Sequence, residues 1–258
     1  MSGVVVSEKR SGVRWITINR PERKNALDRE TILALRDHVV ASREDAETRV
    51  VVLTGTGKAF CSGADLRSGQ SEKSPAHEDL LEDGFNDTIR AMWNLPKPVI
   101  AAVDGVAAGF GCSLALAADV RLASSISQFA LLFVKRGLTV DGGASYFLPR
   151  IAGLRGMEMA LTGDMVHADD ALRMGLVSRV IAEAEFHDQV TAYAERLAKN
   201  APLALAAIKA SIQKALTSNL DDMLTWEMKE QRRVSKSADF REGVAAFLEK
   251  REPVYKGK

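Results

Sequence analysis

Cysteine is scarce in this chain, as are aromatic residues, net charge and long apolar runs. Cys61 and Cys112 form no CxxC pair and lack zinc-ligand spacing, which predicts buried thiols in a reducing compartment such as the cytoplasm. We expect no secretory signal, because the first residues contain no apolar core of signal-peptide length. The longest apolar stretch, residues 98–122, is interrupted by charged residues and glycines, so we expect no membrane span.

The charges nearly cancel, with 35 Lys and Arg against 34 Asp and Glu. A balanced chain has no overall attraction to nucleic acids or anionic membranes, and we expect neither as a partner. None of the four histidines pairs at metal-ligand spacing, so we expect no metal. The 258 residues are 46% hydrophobic, enough for a substantial core. We predict an α/β core over residues 1–200 and a helical C-terminal region over residues 201–258.

The apolar patterns predict strands alternating with helices, which is typical of an α/β fold. Asp28 is predicted as the N-cap of the first helix. Residues 68–79, including His77, are polar and predict a surface loop. The predicted strands are residues 4–6, 13–19, 49–54, 99–103, 120–123, 128–130 and 176–181. The predicted helices are residues 25–42, 80–95, 107–118, 166–175, 186–199, 202–216, 220–236 and 240–251.

Two segments share one design, in which a buried strand runs into a loop of small residues and then into a predicted helix start. The first helix start falls at Ala64, and the second follows the strand at residues 99–103. Helix starts leave backbone N–H groups without partners, and two that face one point form an oxyanion hole. Glycine-rich turns are also common structural elements, so the pattern alone leaves both interpretations open.

Asp141 is an acid among apolar residues and glycines, in the sequence GLTVDGG at residues 137–143. Burial in a dry cleft would raise its pKa and suit it to proton transfer. The alternative is a structural Asx turn or a helix N-cap, which such sequences also favour.

Three segments together carry a resemblance to a known family. They are residues 20–27 (RPERKNAL), 59–66 (AFCSGADL) and 97–111 (KPVIAAVDGVAAGFG), and they resemble the crotonase (enoyl-CoA hydratase/isomerase) superfamily in order and content. The resemblance extends over nearly the whole chain. It implies a spiral of repeated ββα units with a helical C-terminal region that builds homotrimers or homohexamers. It also implies an acyl-CoA thioester substrate, with coenzyme A as part of the substrate and no separate cofactor.

The resemblance implies roles for individual residues. The backbone N–H groups of Ala64 and Phe110 would hold the thioester oxygen. Without the resemblance, Lys24 is equally typical of a substrate-binding residue and of a solvated surface lysine. Phe247 alone is typical of a core stripe on the last helix. The side chains of Phe110, Phe133 and Trp93 would shape the pocket. The substrate-binding residues so implied are Lys24, Ala26, Ser62, Gly63, Asp65, Leu66 and Phe133, with Phe247 and Lys250 from a neighbouring subunit.

The sequence departs from the hydratases of this superfamily at their two glutamates, which would fall at Ser113 and Phe133. Asp141 instead falls where related isomerases carry a single carboxylate. Residues 137–150 (GLTVDGGASYFLPR) resemble Δ3,Δ2-enoyl-CoA isomerases and the ring-opening isomerase of phenylacetate breakdown. The resemblance therefore implies an enoyl-CoA isomerase with Asp141 as its single acid and base.

Other functions remain open at this point. The protein could be an enoyl-CoA hydratase in the broad sense. An aryl-CoA dehalogenase of this superfamily uses an aspartate at this position as a nucleophile, although it has Trp where this chain has Phe133. Some members bind RNA or partner proteins, but the basic cluster at Arg232, Arg233 and Lys236 is more typical of a solvated helix face.

Overall fold

A computed structural model describes residues 3–67 and 80–258, and the predicted loop at residues 68–79 with His77 lies outside these. Ten described strands form two sheets. The larger sheet contains β1 (Val5–Arg10), β2 (Val13–Ile18), β3 (Val50–Gly55), β5 (Val99–Val103), β7 (Val120–Ser124) and β10 (Arg179–Ile181). The smaller sheet contains β4 (Ala59–Cys61), β6 (Val106–Ala108), β8 (Gln128–Ala130) and β9 (Val166–His167).

The strands repeat in pairs, which confirms the predicted spiral of ββα units. Each of β3, β5 and β7 lies in the larger sheet and is followed by a short strand, β4, β6 or β8, in the smaller one. The three long strands are parallel neighbours, and so are the three short ones. A helix follows each pair: α2 (Asp87–Trp93), α3 (Phe110–Leu116) and α4 (Ala144–Thr162). The chain therefore adds one unit at a time to both sheets.

The central strands of the larger sheet, β3 and β5, are buried on both faces, and their side chains alternate between the two faces. On β3, Val51 and Leu53 pack on one face with the smaller sheet and α1 (Arg29–Glu44). Val50 and Val52 pack on the opposite face against α6 (Phe186–Ala198). This double burial explains why the strand reads as an uninterrupted apolar run.

The helix starts are partly as predicted. The Asp28 carboxylate accepts a hydrogen bond from the N–H of Thr31 at 2.9 Å, which confirms the N-cap of α1. The helix predicted at residues 107–118 is wrong in its first residues, because Val106–Ala108 pairs with β8 as a strand. The helix begins only after Gly109, whose φ of 53° turns the chain. A π-helical turn, Leu81–Asn86, leads into α2.

The C-terminal part is helical, with α5 (Ala168–Arg173), α7 (Pro202–Ala215), α8 (Leu220–Val234) and α9 (Ala238–Glu249) beside α6. Lys209 of α7 reaches into the core unit, and its ammonium donates to the Met92 and Lys97 carbonyls and to Asp119. Burial lowers the pKa of Lys209. The domain boundary at residue 200 and the assembly into a homotrimer or homohexamer stay predictions. No helix within the described ranges is long and apolar enough to span a bilayer.

Candidate functional site

Two neighbouring short strands bring the predicted oxyanion-hole residues together. β4 and β6 are adjacent and parallel, so the residues that follow them meet at one edge of the smaller sheet. Gly63 follows β4 and Gly109 follows β6. A Cβ on Gly63 would lie 2.8 Å from the Ala108 carbonyl oxygen and 3.3 Å from the Phe110 nitrogen. Only glycine permits this approach, which places the Ala64 amide beside the Phe110 amide.

The Ala64 amide is free because of how its neighbours pair. Ala64 forms an isolated parallel bridge with Leu27. The Leu27 N–H donates to Gly63, and the Asp65 N–H donates to Leu27. In extended backbone successive N–H groups point to opposite sides, so the N–H of Ala64 points away from this pairing. Within the described residues it has no acceptor.

The second amide belongs to Phe110, the first residue of α3, where an N–H has no partner inside the helix. Like Ala64, it has no acceptor within residues 3–67 and 80–258. The Phe110 ring is buried and packs edge-on against Phe85, with centroids 4.3 Å apart. The helix predicted to start at Ala64 is not observed, because Ala64 is in a bridge and residues 66–67 form a turn. The two free amides therefore arise from different local structures.

Asp141 lies in the loop that leads into α4, directly over α3. Its neighbour Gly142 has a φ of 56°, and a Cβ there would lie 2.8 Å from both the Phe110 ring and the Ser113 side chain. The Oδ1 atom of Asp141 is buried and has no hydrogen-bond partner among the described residues. Burial raises the pKa of the Asp141 carboxyl to about 7.

The structural alternative for Asp141 is wrong. Gly143, not Asp141, is the N-cap residue of α4, and no side chain caps this helix. The Asp141 carboxylate also makes no Asx-turn hydrogen bond among the described residues, although its backbone carbonyl accepts from Ala144. A carboxyl with a raised pKa in a cleft is suited to proton transfer.

One cavity joins the two amides to the carboxylate. The space within it, part of which is open to solvent, is about 460 Å³. Its surface is more apolar than polar, which limits the water around Asp141. The cavity is lined by Ser62, Gly63, Ala64, Leu66, Gly109, Phe110, Leu132, Phe133, Arg136, Leu138 and Asp141.

The remaining predicted residues near residue 24 form the support of this cavity. The Lys24 carbonyl accepts from the N–H of Ser62, which fixes Lys24 next to a lining residue, and its side chain is exposed. Arg20 donates to the Ala26 carbonyl and to the Asp65 carboxylate. Asp65 is therefore engaged in an ion pair behind the cavity, with its side chain only 9% exposed.

Other predicted residues lie elsewhere. Phe247 is 82% exposed on α9, so the core-stripe interpretation is wrong. Neither Phe247 nor Lys250 lines the cavity of its own chain, and their contribution from a neighbouring subunit stays a prediction. Trp93 does not shape the cavity either, since it packs against Tyr146 and Phe147. The prediction missed three lining residues that lie between Phe133 and Asp141 or beside them: Leu132, Arg136 and Leu138. Arg136 and Leu138 lie between two predicted site residues, and this position was the signal available.

The two cysteine thiols do not form a second reactive centre. Cys61 and Cys112 are buried free thiols, and burial raises the pKa of each to about 12. Among the residues that the structure describes, no three His, Cys, Asp or Glu side chains are grouped to hold a metal ion.

Comparison with known proteins gives the family. The sequence profile described as enoyl-CoA hydratase/isomerase matches residues 8–258. The chain belongs to this family. It is 41% identical over 96% of its length to a Rhodobacter capsulatus protein named "Probable enoyl-CoA hydratase", covering 95% of that protein. It is 38% identical to 1,2-epoxyphenylacetyl-CoA isomerase of Escherichia coli, over the full length of both chains.

A solved structure of the family has the same fold. The enoyl-CoA hydratase from Bacillus anthracis superposes with a TM-score of 0.93 at 33% identity, over 99% of this chain and all of that one. The resemblance to the superfamily, including its phenylacetate-type isomerases, is thus confirmed. The relatives include proteins named as hydratases, isomerases and dehydratases, so their names do not decide the reaction.

Proposed function

We propose that this protein is an enoyl-CoA double-bond isomerase that converts a 3-enoyl-CoA into the conjugated 2-enoyl-CoA. The observation that carries the proposal is a single unpaired carboxylate, Asp141, in one apolar cavity with the free amides of Ala64 and Phe110. The family supplies the acyl-CoA class of substrate, and coenzyme A is then part of the substrate.

The chemistry needs one base and one oxyanion site. The Asp141 carboxylate removes a proton from the α-carbon, and the electron pair moves onto the thioester oxygen as a dienolate. The amides of Ala64 and Phe110 donate hydrogen bonds to that oxygen, each worth about 2.7–4 kcal/mol to a developing oxyanion. Protonated Asp141 returns the proton to the γ-carbon, and the electron pair forms the new α,β double bond. A pKa of about 7 suits both steps near neutral pH.

Hydration is the less favoured alternative. Holding and splitting a water molecule with two glutamates needs acids at residues 113 and 133. Ser113 is fully buried, and its hydroxyl faces the Gly109 carbonyl at 3.5 Å. Phe133 presents an apolar ring to the cavity. Asp141 is then the one acid among the described cavity residues, and one carboxylate suffices for isomerisation.

Nucleophilic attack by Asp141 on an aromatic ring is a second use of the same carboxylate. It predicts a covalent ester on Asp141, which isomerisation does not. Mass spectrometry of the protein after incubation with a 4-halobenzoyl-CoA distinguishes the two. An adduct on Asp141 with halide release would replace the isomerase proposal.

The direct test follows conjugated-thioester absorbance with two substrates. A 3-enoyl-CoA should give a rise in absorbance, whereas crotonyl-CoA in water should show no decay. The Asp141→Asn protein should lose the rise. Asp104→Asn is the matched control, because Asp104 also has a buried, unpaired carboxylate oxygen but does not line the cavity. Rapid decay of crotonyl-CoA, or turnover by Asp141→Asn, would contradict the proposal.

A further inference from the structure

Phe110 belongs to both halves of the candidate site. Its backbone N–H is one of the two free amides, and the residue is only 1% exposed. A Cβ on Gly142, next to Asp141, would lie 2.8 Å from Cε2 and 2.9 Å from Cδ2 of the Phe110 ring. The ring therefore lies directly against the backbone of the loop that carries the base. A displacement of the ring would change the position of that loop relative to the amide.

A second aromatic ring, that of Phe85, supports the Phe110 ring. The two ring centroids are 4.3 Å apart, and the ring planes are inclined at 61°. Phe85 is also 1% exposed, so this contact lies inside the core. Edge-on aromatic pairs have a preferred orientation that contacts between aliphatic side chains lack. The contact therefore fixes the orientation of the Phe110 ring as well as its distance.

The backbone around Phe85 is held by two helices. Phe85 belongs to the π-helical turn Leu81–Asn86, a rare element that occurs frequently at functional sites. A Cβ on Gly84 would lie 3.0 Å from Cγ2 of Ile32 on α1, so the turn rests closely on that helix. The hydroxyl of Thr88 on α2 donates to the Gly84 carbonyl at 2.8 Å. Phe85 is thus anchored from behind and presents its ring to Phe110.

Phe85 does not belong to the cavity itself. It is not among the described residues that line the cavity, whereas Phe110, Gly109 and Asp141 are. An effect of Phe85 on the reaction would therefore pass through the Phe110 ring. A densely packed interior transmits such an effect, because a side chain cannot move without displacing its neighbours.

We infer that Phe85 is a positioning residue, which acts through the Phe110 ring to set the distance between the Phe110 amide and the Asp141 carboxylate. The inference rests on the proposed function, which assigns the thioester oxygen to the amides and the α-carbon to Asp141. These two substrate atoms are two bonds apart and must meet their partners at the same time. A misplacement of about 1 Å can lower the rate about 100-fold.

A matched pair of buried phenylalanines tests the positioning. Phe85→Leu should lower kcat for a 3-enoyl-CoA about 10- to 100-fold and change KM by less than about threefold. Phe186→Leu removes the same atoms from a buried ring on the opposite face of the larger sheet. It should lower the melting temperature but leave kcat within about threefold. An equal loss of kcat in both variants would indicate a general loss of stability and overturn the inference.

A double-mutant cycle tests whether the effect passes through Phe110. Phe110→Leu removes the ring but keeps the backbone amide. If Phe85 acts through that ring, adding Phe85→Leu to Phe110→Leu should lower kcat by less than about twofold further. The same 10- to 100-fold loss in both backgrounds would mean that Phe85 acts by another route, and this result would overturn the inference.

An NMR titration without turnover keeps this inference distinguishable from the proposed function. The protein is labelled at the aspartate side-chain carboxyl carbons, and the Asp141 signal is the one that Asp141→Asn removes. In Phe85→Leu the Phe110 ring can retreat and admit water, so the pKa of Asp141 should fall from about 7 to below about 6. Arg136, the one other charged side chain among the described lining residues, is unchanged in this variant.

The titration decides the inference in either direction. A lowered pKa of Asp141 in Phe85→Leu, with no change in Phe186→Leu, would support the positioning role even if no 3-enoyl-CoA reacts. In that case only the proposed function would fail. A pKa of Asp141 that stays near 7 in Phe85→Leu would overturn the inference and leave the proposed function standing.

Discussion

Two regions that meet at the cavity differ in whether their buried polar groups have hydrogen-bond partners. In the support segment, defined as residues 20–27 with residues 59–65, buried polar groups are paired. The Asn25 side chain is fully buried, donates to the carbonyls of Thr56 and Ala59, and accepts from the Arg20 N–H. In the acid loop, residues 137–143, the buried Oδ1 of Asp141 has no such partner.

The difference separates positioning from chemistry. Hydrogen bonds in the support segment hold the backbone at Ala64 while leaving its N–H free, so the segment acts through geometry. The acid loop keeps one oxygen of a carboxylate buried and without a hydrogen-bond partner, which costs stability but raises the basicity of the carboxylate. Substitutions in the two regions should therefore have opposite effects on stability and activity.

The largest expected effect is on turnover in the acid loop. Asp141→Asn keeps the size of the side chain but removes the base, and kcat should fall about 10²- to 10⁴-fold, the usual contribution of a general base. Steady-state kinetics with a 3-enoyl-CoA measures this, and circular dichroism checks the fold. A kcat within about threefold of the original protein would mean that Asp141 is not the base.

The next effect is on stability in the support segment. Asn25→Ala leaves buried groups unpaired and places alanine at a φ of 56°, so the free energy of unfolding should fall by about 3 kcal/mol. Thermal denaturation should show a melting temperature lower by about 6–12 °C. Asn19→Ala is the control, because Asn19 is half-buried and its side chain makes one hydrogen bond, to Gly3. Equal melting temperatures for both variants would remove the distinction between the regions.

The pH dependence is a smaller and graded effect. Isomerisation starts from ionised Asp141, whose pKa is about 7, so kcat/KM should fall about tenfold for each pH unit below 7. An ordinary aspartate, with a pKa near 4, would keep the activity constant down to about pH 5. A pH profile of kcat/KM between pH 5 and 9 decides between the two. A flat profile would show that Asp141 is solvated in the free enzyme.

The smallest effect is a gain of stability when the acid is removed. The folded pKa of Asp141 lies above the unfolded value of 3.8, so the cost of its charge is absent below about pH 4 and complete above about pH 7. At pH 8, Asp141→Asn should raise the free energy of unfolding by about 2 kcal/mol, allowing for partial solvent exposure. Denaturant titrations at pH 8 and pH 5 measure it. A gain that does not shrink at pH 5 would have another cause.

The sequence predicted each strand of the larger sheet at least in part, and most closely β3 and β5, which are almost entirely apolar. It missed β4 and placed two of the three residues of β6 in a helix, since three residues such as Ala59–Cys61 are too few to show a period. Residues 166–167 were likewise included in a helix but pair with β8 as β9. Asp28 was predicted because an N-cap depends on neighbours in sequence.

The residues of the candidate site were predicted from glycines and a single acid, but the geometry of the site could not be predicted from the sequence. That Ala64 sits in a bridge rather than a helix depends on Leu27, which is distant in sequence. Asp141 is unpaired, whereas Asp65 pairs with Arg20. This difference depends on which side chains surround each aspartate in the folded chain. Arg136 lies between two predicted site residues, but it was overlooked because an exposed arginine in a turn has no local pattern that marks it as part of a cavity.

The buried ammonium of Lys209 has a consequence for local unfolding. Helix α7 buries only Ala207 fully, yet Lys209 ties it to the end of α2, to the residue before Pro98 and to Asp119 beside β7. Detaching the helix would separate the ammonium from the Asp119 carboxylate and leave two carbonyls without their donor. Opening of α7 should therefore require opening of this corner of the core, so their amides should exchange with solvent deuterium as one cooperative unit.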